Sequence, residues 1–313
     1  MNDKTNLGKD LAIASIITII AGIAGFGFFT PIALLFPVSG IVVGVKYGHK
    51  YSLVPHIAAA VVFLLIFGIK SAPLVAFLAG VSFISSKSIN RREVISERLV
   101  KSTAYMIVFI IAVLLIAKFA FGFDYIEETV QNNMTIIDNY IDEVQKMGID
   151  YNKEQIEEIQ RLQPQIANII KMNTPSILLI TSFGISAVSN GIASYIIRRR
   201  NIKILAPMKL SRFRVSMKFS VAALVIFIIS FIIKFINAEY YNVVVSNLTL
   251  IFYFVLLLQG LGVISYALER LRVPKFIRVA ILIISIFSVF MTAVISIIGA
   301  IDLVFNFRKI REL

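Results

Sequence analysis

The sequence contains no cysteine and only two histidines, His49 and His56. Disulfides, cysteine-ligated zinc and thiol nucleophiles are thereby excluded, and a histidine metal cluster has too few ligands. The Gly-rich phosphate loop that ends in Gly-Lys-Ser/Thr and the His-Glu-x-x-His zinc motif are also missing. Charged residues make up only 16% of the chain, against about 25% in soluble domains. Hardly any of them falls inside an apolar block, and Lys118 and Lys234 lie at block ends, where they can snorkel to an interface. Without a central Asp, Glu, Arg or Lys, a proton relay, a voltage sensor or a carboxylate-based intramembrane protease is not expected. Neither an enzyme nor a metal or cofactor is called for. Any pocket would have to be built from Ser, Asn, Gln and backbone.

What the chain has instead is apolar length. Of its 313 residues 58% are hydrophobic, and the mean hydropathy is +0.87. Apolar segments run through residues 11–29, 32–45, 53–69, 72–84, 103–120, 175–197, 219–236, 248–268 and 276–303. Most approach the roughly 20 residues that cross a hydrocarbon core. Since only helices and closed barrels satisfy their backbone in lipid, the expected fold is all-α. It is a polytopic transmembrane helix bundle of about eight to nine hydrophobic segments, forming a single membrane domain over residues 1–313. Segments 32–45 and 72–84 are short, and Pro31, Pro37 and Pro73 interrupt that region. They read as short tilted spans, broken helices or re-entrant pieces. Met1 to Asp10 lacks the basic run and cleavage site of a processed signal peptide, so the first segment is read as a retained span.

The net charge of +13 is explained by where it sits, without nucleic acid. Arg91, Arg92 and Arg98 fall in one loop, Arg198 to Lys218 in a second, and Arg270, Arg272, Lys275 and Arg278 in a third. The positive-inside rule puts all three in the cytoplasm, and the N-terminus with them, on a bacterial plasma membrane. The acidic stretch from Asp124 to Lys171 then lies outside. The basic end Arg308, Lys309, Arg311 conflicts with nine crossings. Either the last segment forms a hairpin, or a short N-terminal segment fails to cross, or the tail stays outside, the reading preferred here.

Residues 124–172 form the one sizeable polar insertion. Ile126, Val130, Met134, Ile137, Ile141 and Val144 repeat at spacings of three and four, an amphipathic stripe. Gly148 stops it, Asn152 and Gln155 can cap a second helix, and Pro164 should bend that helix. The expectation is an extracytoplasmic helical hairpin.

Three further patterns stand out. Ala14, Thr18 and Gly22, and separately Gly40, Gly44 and Gly48, recur every fourth position, giving smooth faces for helix packing or for docking another membrane subunit. Ser182, Ser186, Asn190 and Ser194 share one face of the sixth segment. A lone Ser in a span often bonds back to its own helix. Four polar positions in register read as a hydrogen-bonding seam or a solute cavity, with Gln259 as a partner across the bundle. Asp302 and Arg308 could pair only if the chain bends between them, because a helix face favours separations of three or four.

The stretch Pro31-Ile-Ala-Leu-Leu-Phe-Pro37 with Gly44-Val-Lys-Tyr-Gly48, and the closing Gly299-Ala-Ile-Asp302 with Phe307-Arg308-Lys309, resemble the YybS-type family of predicted bacterial membrane proteins. The resemblance covers most of the chain. That family is held to be distantly similar to the substrate-binding S components of energy-coupling factor transporters. There, an Ala-x-x-x-Ala motif on the first helix meets a transmembrane coupling subunit. The nearest match here is Ala14-x-x-x-Thr18, with threonine at the second position. The resemblance implies a solute-binding importer subunit, whose partners would be the bilayer, a coupling subunit with ATPases and a small solute. The alternative is a non-transport scaffold or regulator that holds envelope or signalling partners.

Overall fold

The computed structural model describes residues 2–27, 30–146, 153–205, 209–215, 217–236 and 238–310. Eleven α-helices and no strand occur among them. They are α1 (Asn2–Gly27), α2 (Phe36–Tyr47), α3 (Val54–Phe67), α4 (Ala72–Asn90), α5 (Ile95–Phe121), α6 (Tyr125–Lys146), α7 (Lys153–Arg199), α8 (Met217–Ile236), α9 (Ala238–Arg270), α10 (Lys275–Ile286) and α11 (Val289–Phe305). Six described stretches are long and apolar enough to cross a membrane: Asn6–Gly25, His49–Phe67, Ala72–Asn90, Ile95–Phe121, Arg161–Arg199 and Tyr240–Arg270. A seventh follows if the bent pair α10–α11 is counted as one span, and Ile32–Tyr47 and Val225–Phe235 are shorter apolar helices.

Backbone proximity divides the chain into two units, Met1–Tyr125 with Thr181–Pro207, and Ile126–Ile180 with Met208–Leu313. In both, Ile, Leu and Phe populate the exposed set, while serines crowd the buried one. That inverts the soluble pattern, and it is what a protein solvated by lipid requires: small polar residues between helices, large apolar ones outside.

In the first unit, prolines start helices and glycines end them. Pro37, Pro55 and Pro73 each occupy the first turn of a helix, where a missing N–H costs nothing. Gly48, Gly68 and Gly122 close α2, α3 and α5 with φ of +113°, +71° and +65°, conformations that favour a residue without Cβ. The short segment 32–45 thus becomes α2, buried at every position from Phe36 to Gly44. A helix apolar all round belongs inside a bundle. Phe36, Phe63, Val81 and Met106 form the core beside it.

In the second unit, α9 and α11 approach backbone to backbone. A Cβ on Gly260 would fall 1.9 Å from the Ile295 carbonyl oxygen, and one on Gly299 would fall 2.0 Å from that of Leu256. The segment read as one long span, 276–303, is interrupted instead. α10 and α11 meet at 108°, with Ser288 capping α11 through the Met291 N–H. This is the break that the hairpin alternative requires.

Two side-chain bonds join α6 to the start of α7. Gln163 donates to Asp138 at 2.7 Å and Lys171 to Glu127 at 2.5 Å, a register that runs α6 and the start of α7 antiparallel. Val130 and Ile141 of the stripe are buried. Gly148 and Asn152 lie outside the described residues. One expectation fails: the second hairpin helix and the sixth segment are not separate elements. α7 is a single 47-residue helix that contains both Pro164 and Pro175.

The break that Pro175 would cause is repaired by another helix. The Asn247 side chain of α9 accepts from the Ser176 N–H at 2.9 Å and donates to the Met172 carbonyl at 2.6 Å. It thereby bridges the pair that a regular turn would join directly. Ser246 adds a bond to Asn173 Oδ1 at 2.8 Å. Partners from a neighbouring helix that satisfy freed backbone groups are how membrane helices tolerate proline.

Candidate functional site

The small-residue faces are occupied by the chain itself. Thr18 hydrogen-bonds Ser39, and both are buried, as is Ala14. Gly22 lies under Phe63, where a Cβ would fall 2.1 Å from the ring, and Gly40 lies under His56 at 2.4 Å. Gly44 faces Ser52 and Ser86. Gly48 does not belong to this face, because it ends α2 and turns the chain. His56 is held at both ring nitrogens, Nδ1 against the Ser52 carbonyl at 2.9 Å and Nε2 against Ser82 Oγ at 3.1 Å. It is a packed core residue. No group of three metal-ligating side chains occurs among the described residues.

The polar stripe of the sixth segment lies in the first unit, on the C-terminal part of α7. Ser182, Ser186, Asn190 and Ser194 are all buried. Asn190 donates to Ser85 Oγ of α4 at 3.0 Å and to the Ser186 carbonyl at 2.9 Å. Ser85 in turn meets Ser102 of α5 at 3.1 Å. Ser186 reaches Met106 Sδ at 3.5 Å, and Ser189 reaches the Leu34 carbonyl at 3.1 Å. Three helices are therefore tied at one level by Asn190, Ser85 and Ser102.

These contacts fix a register. Ser186 meets Met106 directly and Asn190 reaches Ser102 through Ser85, so α7 and α5 run in opposite directions here. Continued by one turn, about 5.4 Å, this register would carry Ser194 toward the level of Arg98. Arg98, which the positive-inside reading places among the loop cations, is instead the fourth residue of α5 and is only 1% exposed. All three of its guanidinium nitrogens lack a hydrogen-bond partner in the described chain. So do Ser182 Oγ, Asn190 Oδ1, Ser194 Oγ and Thr103 Oγ1. Buried polar groups are ordinarily satisfied, and five exceptions on two neighbouring helices are a concentration. The signal in the sequence is Arg98-x-x-x-Ser102, a cation and a hydroxyl four apart on one helix face.

At the mouth of the α4–α5 turn, Glu93 pairs with Lys101 at 2.7 Å. The Lys101 and Ser88 hydrogen bonds hold its carboxyl below the usual carboxylate range.

Gln259 was expected to partner the stripe. It belongs to the second unit, where its amide donates to Asp302 Oδ2 at 2.7 Å and its carbonyl accepts from the Val215 N–H at 3.0 Å. Asp302 and Arg308 do pair, at 2.8 Å, and are almost wholly enclosed. The bend that this needs is supplied by Asn306, whose φ of +46° ends α11. Arg308 also donates to the carbonyls of Ser211 at 3.1 Å and Phe213 at 2.8 Å. The chain thus contains buried charge after all, at Arg98, Asp302 and Arg308. In the second unit the Arg308 guanidinium is bonded at every nitrogen and paired with Asp302, which makes the pair a structural post although Asp302 Oδ1 has no hydrogen bond. In the first unit the Arg98 guanidinium interacts with the charge of Glu93 but makes no hydrogen bond.

Residues 12–303 match the family described as "Predicted membrane protein (DUF2232)", and the chain belongs to that family. No curated protein and no solved structure gave a match.

Proposed function

We propose that this multi-pass membrane protein binds a small polar solute in the serine-rich layer of its first unit. It would act as the substrate-capturing subunit of an importer, in the manner of the energy-coupling factor S components. The observation that carries the reading is the unpartnered set on facing helices: the Arg98 guanidinium on α5, and Ser182, Asn190 Oδ1 and Ser194 on α7. A bound solute would supply the missing partners, an acceptor to Arg98 and a donor to Asn190 Oδ1. Energy would come from a separate ATPase module, because the chain has no phosphate loop. In the topology that fits, the N-terminus and basic loops face the cytoplasm and the α6–α7 hairpin faces outward.

The test is a thermal-shift screen of the purified full-length chain against small carboxylates, phosphates and amino acids. One class should raise the melting midpoint of the wild type. That shift should vanish in Ser186→Leu and Asn190→Leu and weaken in Ser194→Ala, which adds no bulk, while membrane insertion is retained. Equal shifts in all four proteins, or none in any, would contradict the reading. A scaffold is the second reading, favoured by the hairpin, whose Glu127, Glu128, Asp138 and Glu158 remain exposed. Isolation with an envelope protein and without an ATPase would support it.

A further inference from the structure

Away from the polar layer, the second unit has a cleft of about 550 Å³ lined by Lys209, Ser211, Arg212, Tyr266, Glu269, Arg270 and Ile310. We infer that this cleft holds the anionic headgroup of a membrane phospholipid. Three observations converge on it.

The first is charge. Three cations face one acid, and that acid is already engaged. Glu269 accepts from Ser211 at 2.8 Å and Lys209 at 3.3 Å, and it lies 3.8 Å from Arg278. Arg212 and Arg270 make no ion pair with the described residues. Two exposed guanidinium forks matched to phosphate are left over.

The second is depth. The apolar stretch Tyr240–Arg270 ends at the cleft, which sets Arg270 where hydrocarbon gives way to headgroups. The third is the neighbouring surface. α10 begins five residues after Arg270 and has no buried residue. Leu271, Phe276, Ile277 and Ile281 are all exposed beside or along it. An amphipathic helix of this kind lies against acyl chains. A cationic cleft bordered by an apolar shelf fits a molecule with a phosphate at one end and hydrocarbon at the other. A soluble phosphate has no use for the shelf.

The cleft is also a built feature. Its Leu210–Arg212 turn is pinned by Arg308, which binds the Ser211 and Phe213 carbonyls and is itself held by Asp302. The buried pair thus fixes the wall that carries Arg212.

The experiment is native mass spectrometry of the full-length chain released from vesicles of equal parts phosphatidylcholine and phosphatidylglycerol. The wild type should retain phosphatidylglycerol over phosphatidylcholine. The double variant R212Q/R270Q should lose that preference by about thirtyfold, since each of the two basic residues near an anionic surface contributes on the order of 1 kcal/mol. R91Q/R92Q removes the same charge from another loop and should keep the preference. R212K/R270K, which retains charge and guards against misfolding, should keep most of it. Equal losses in R212Q/R270Q and R91Q/R92Q, or no loss in either, would overturn the assignment. So would displacement of phosphatidylglycerol by inorganic phosphate alone, which would make the cleft a soluble-anion site.

Discussion

At the scale of single residues, glycines and buried charges separate into two kinds by what surrounds them. Gly260→Ala and Gly299→Ala each set a Cβ against the backbone of the facing helix. Backbone cannot yield as a flexible side chain can, so each should cost at least the 1–3 kcal/mol typical of overpacking, roughly. Gly184→Ala and Gly191→Ala meet nothing within 4 Å and should be neutral or stabilise by up to about 1 kcal/mol through helix propensity. Unfolding midpoints in detergent check both pairs. Asp302→Asn strands Arg308 in a buried site and should destabilise by about 3–5 kcal/mol, whereas D302L/R308M removes both charges and should recover much of the loss. If the single and double variants were equally damaged, the pair would not be the post described. The sequence made Asp302 and Arg308 visible as a pair but hid their bend, because nothing local marks Asn306 as the left-handed residue. Arg98 was hidden differently. An arginine near a loop looks like a topology signal until its helix is known to begin three residues earlier.

Among elements, α7 departs furthest from what periodicity suggested. Hydropathy sees a polar stripe, a proline and an apolar run, and it cuts the chain at Pro175. It cannot see that Asn247, 72 positions away in sequence, completes the interrupted turn. Asn247→Leu should leave the Met172 carbonyl and the Ser176 N–H without that partner, at about 1–3 kcal/mol for each buried group. Amide exchange at Ser176 should rise with it, and unchanged protection there would show that the proline is tolerated without the bridge. The α4–α5 turn gives a pH-dependent case. Because Lys101 lowers the Glu93 pKa on folding, the pair contributes stability above the unfolded carboxylate pKa of about 4.3. That contribution is lost as pH falls through the lower folded value. Lys101 is half exposed and screens the pair from that side, so the effect is about 1 kcal/mol. Glu93→Gln should flatten the acid limb of the stability profile and leave neutral pH nearly unchanged. By contrast, helix α6 was readable in advance, since a stripe at spacings of three and four needs only local geometry.

For the whole molecule, apolar length made the membrane class and the all-helical fold legible, and the prolines told where short segments begin. The polar layer was half legible. Ser182, Ser186, Asn190 and Ser194 were recognisable as one face, but their partners Ser85 and Ser102 come from helices whose neighbours only the fold reveals. Gln259 was assigned to them by polarity alone, and it serves the other unit. A wet solute site and a dry seam differ in whether water reaches this layer. A chain without cysteine allows that to be read directly. Single cysteines at Ser182 and Ser194 are treated, in native membranes, with a small charged methanethiosulfonate reagent, with Lys101→Cys as the accessible reference and Ala193→Cys as the packed one. For a solute site, modification at 182 and 194 falls within about an order of magnitude of the reference and is slowed by whichever solute class the thermal screen selects. Modification at both positions as slow as at 193 would make the layer a dry seam.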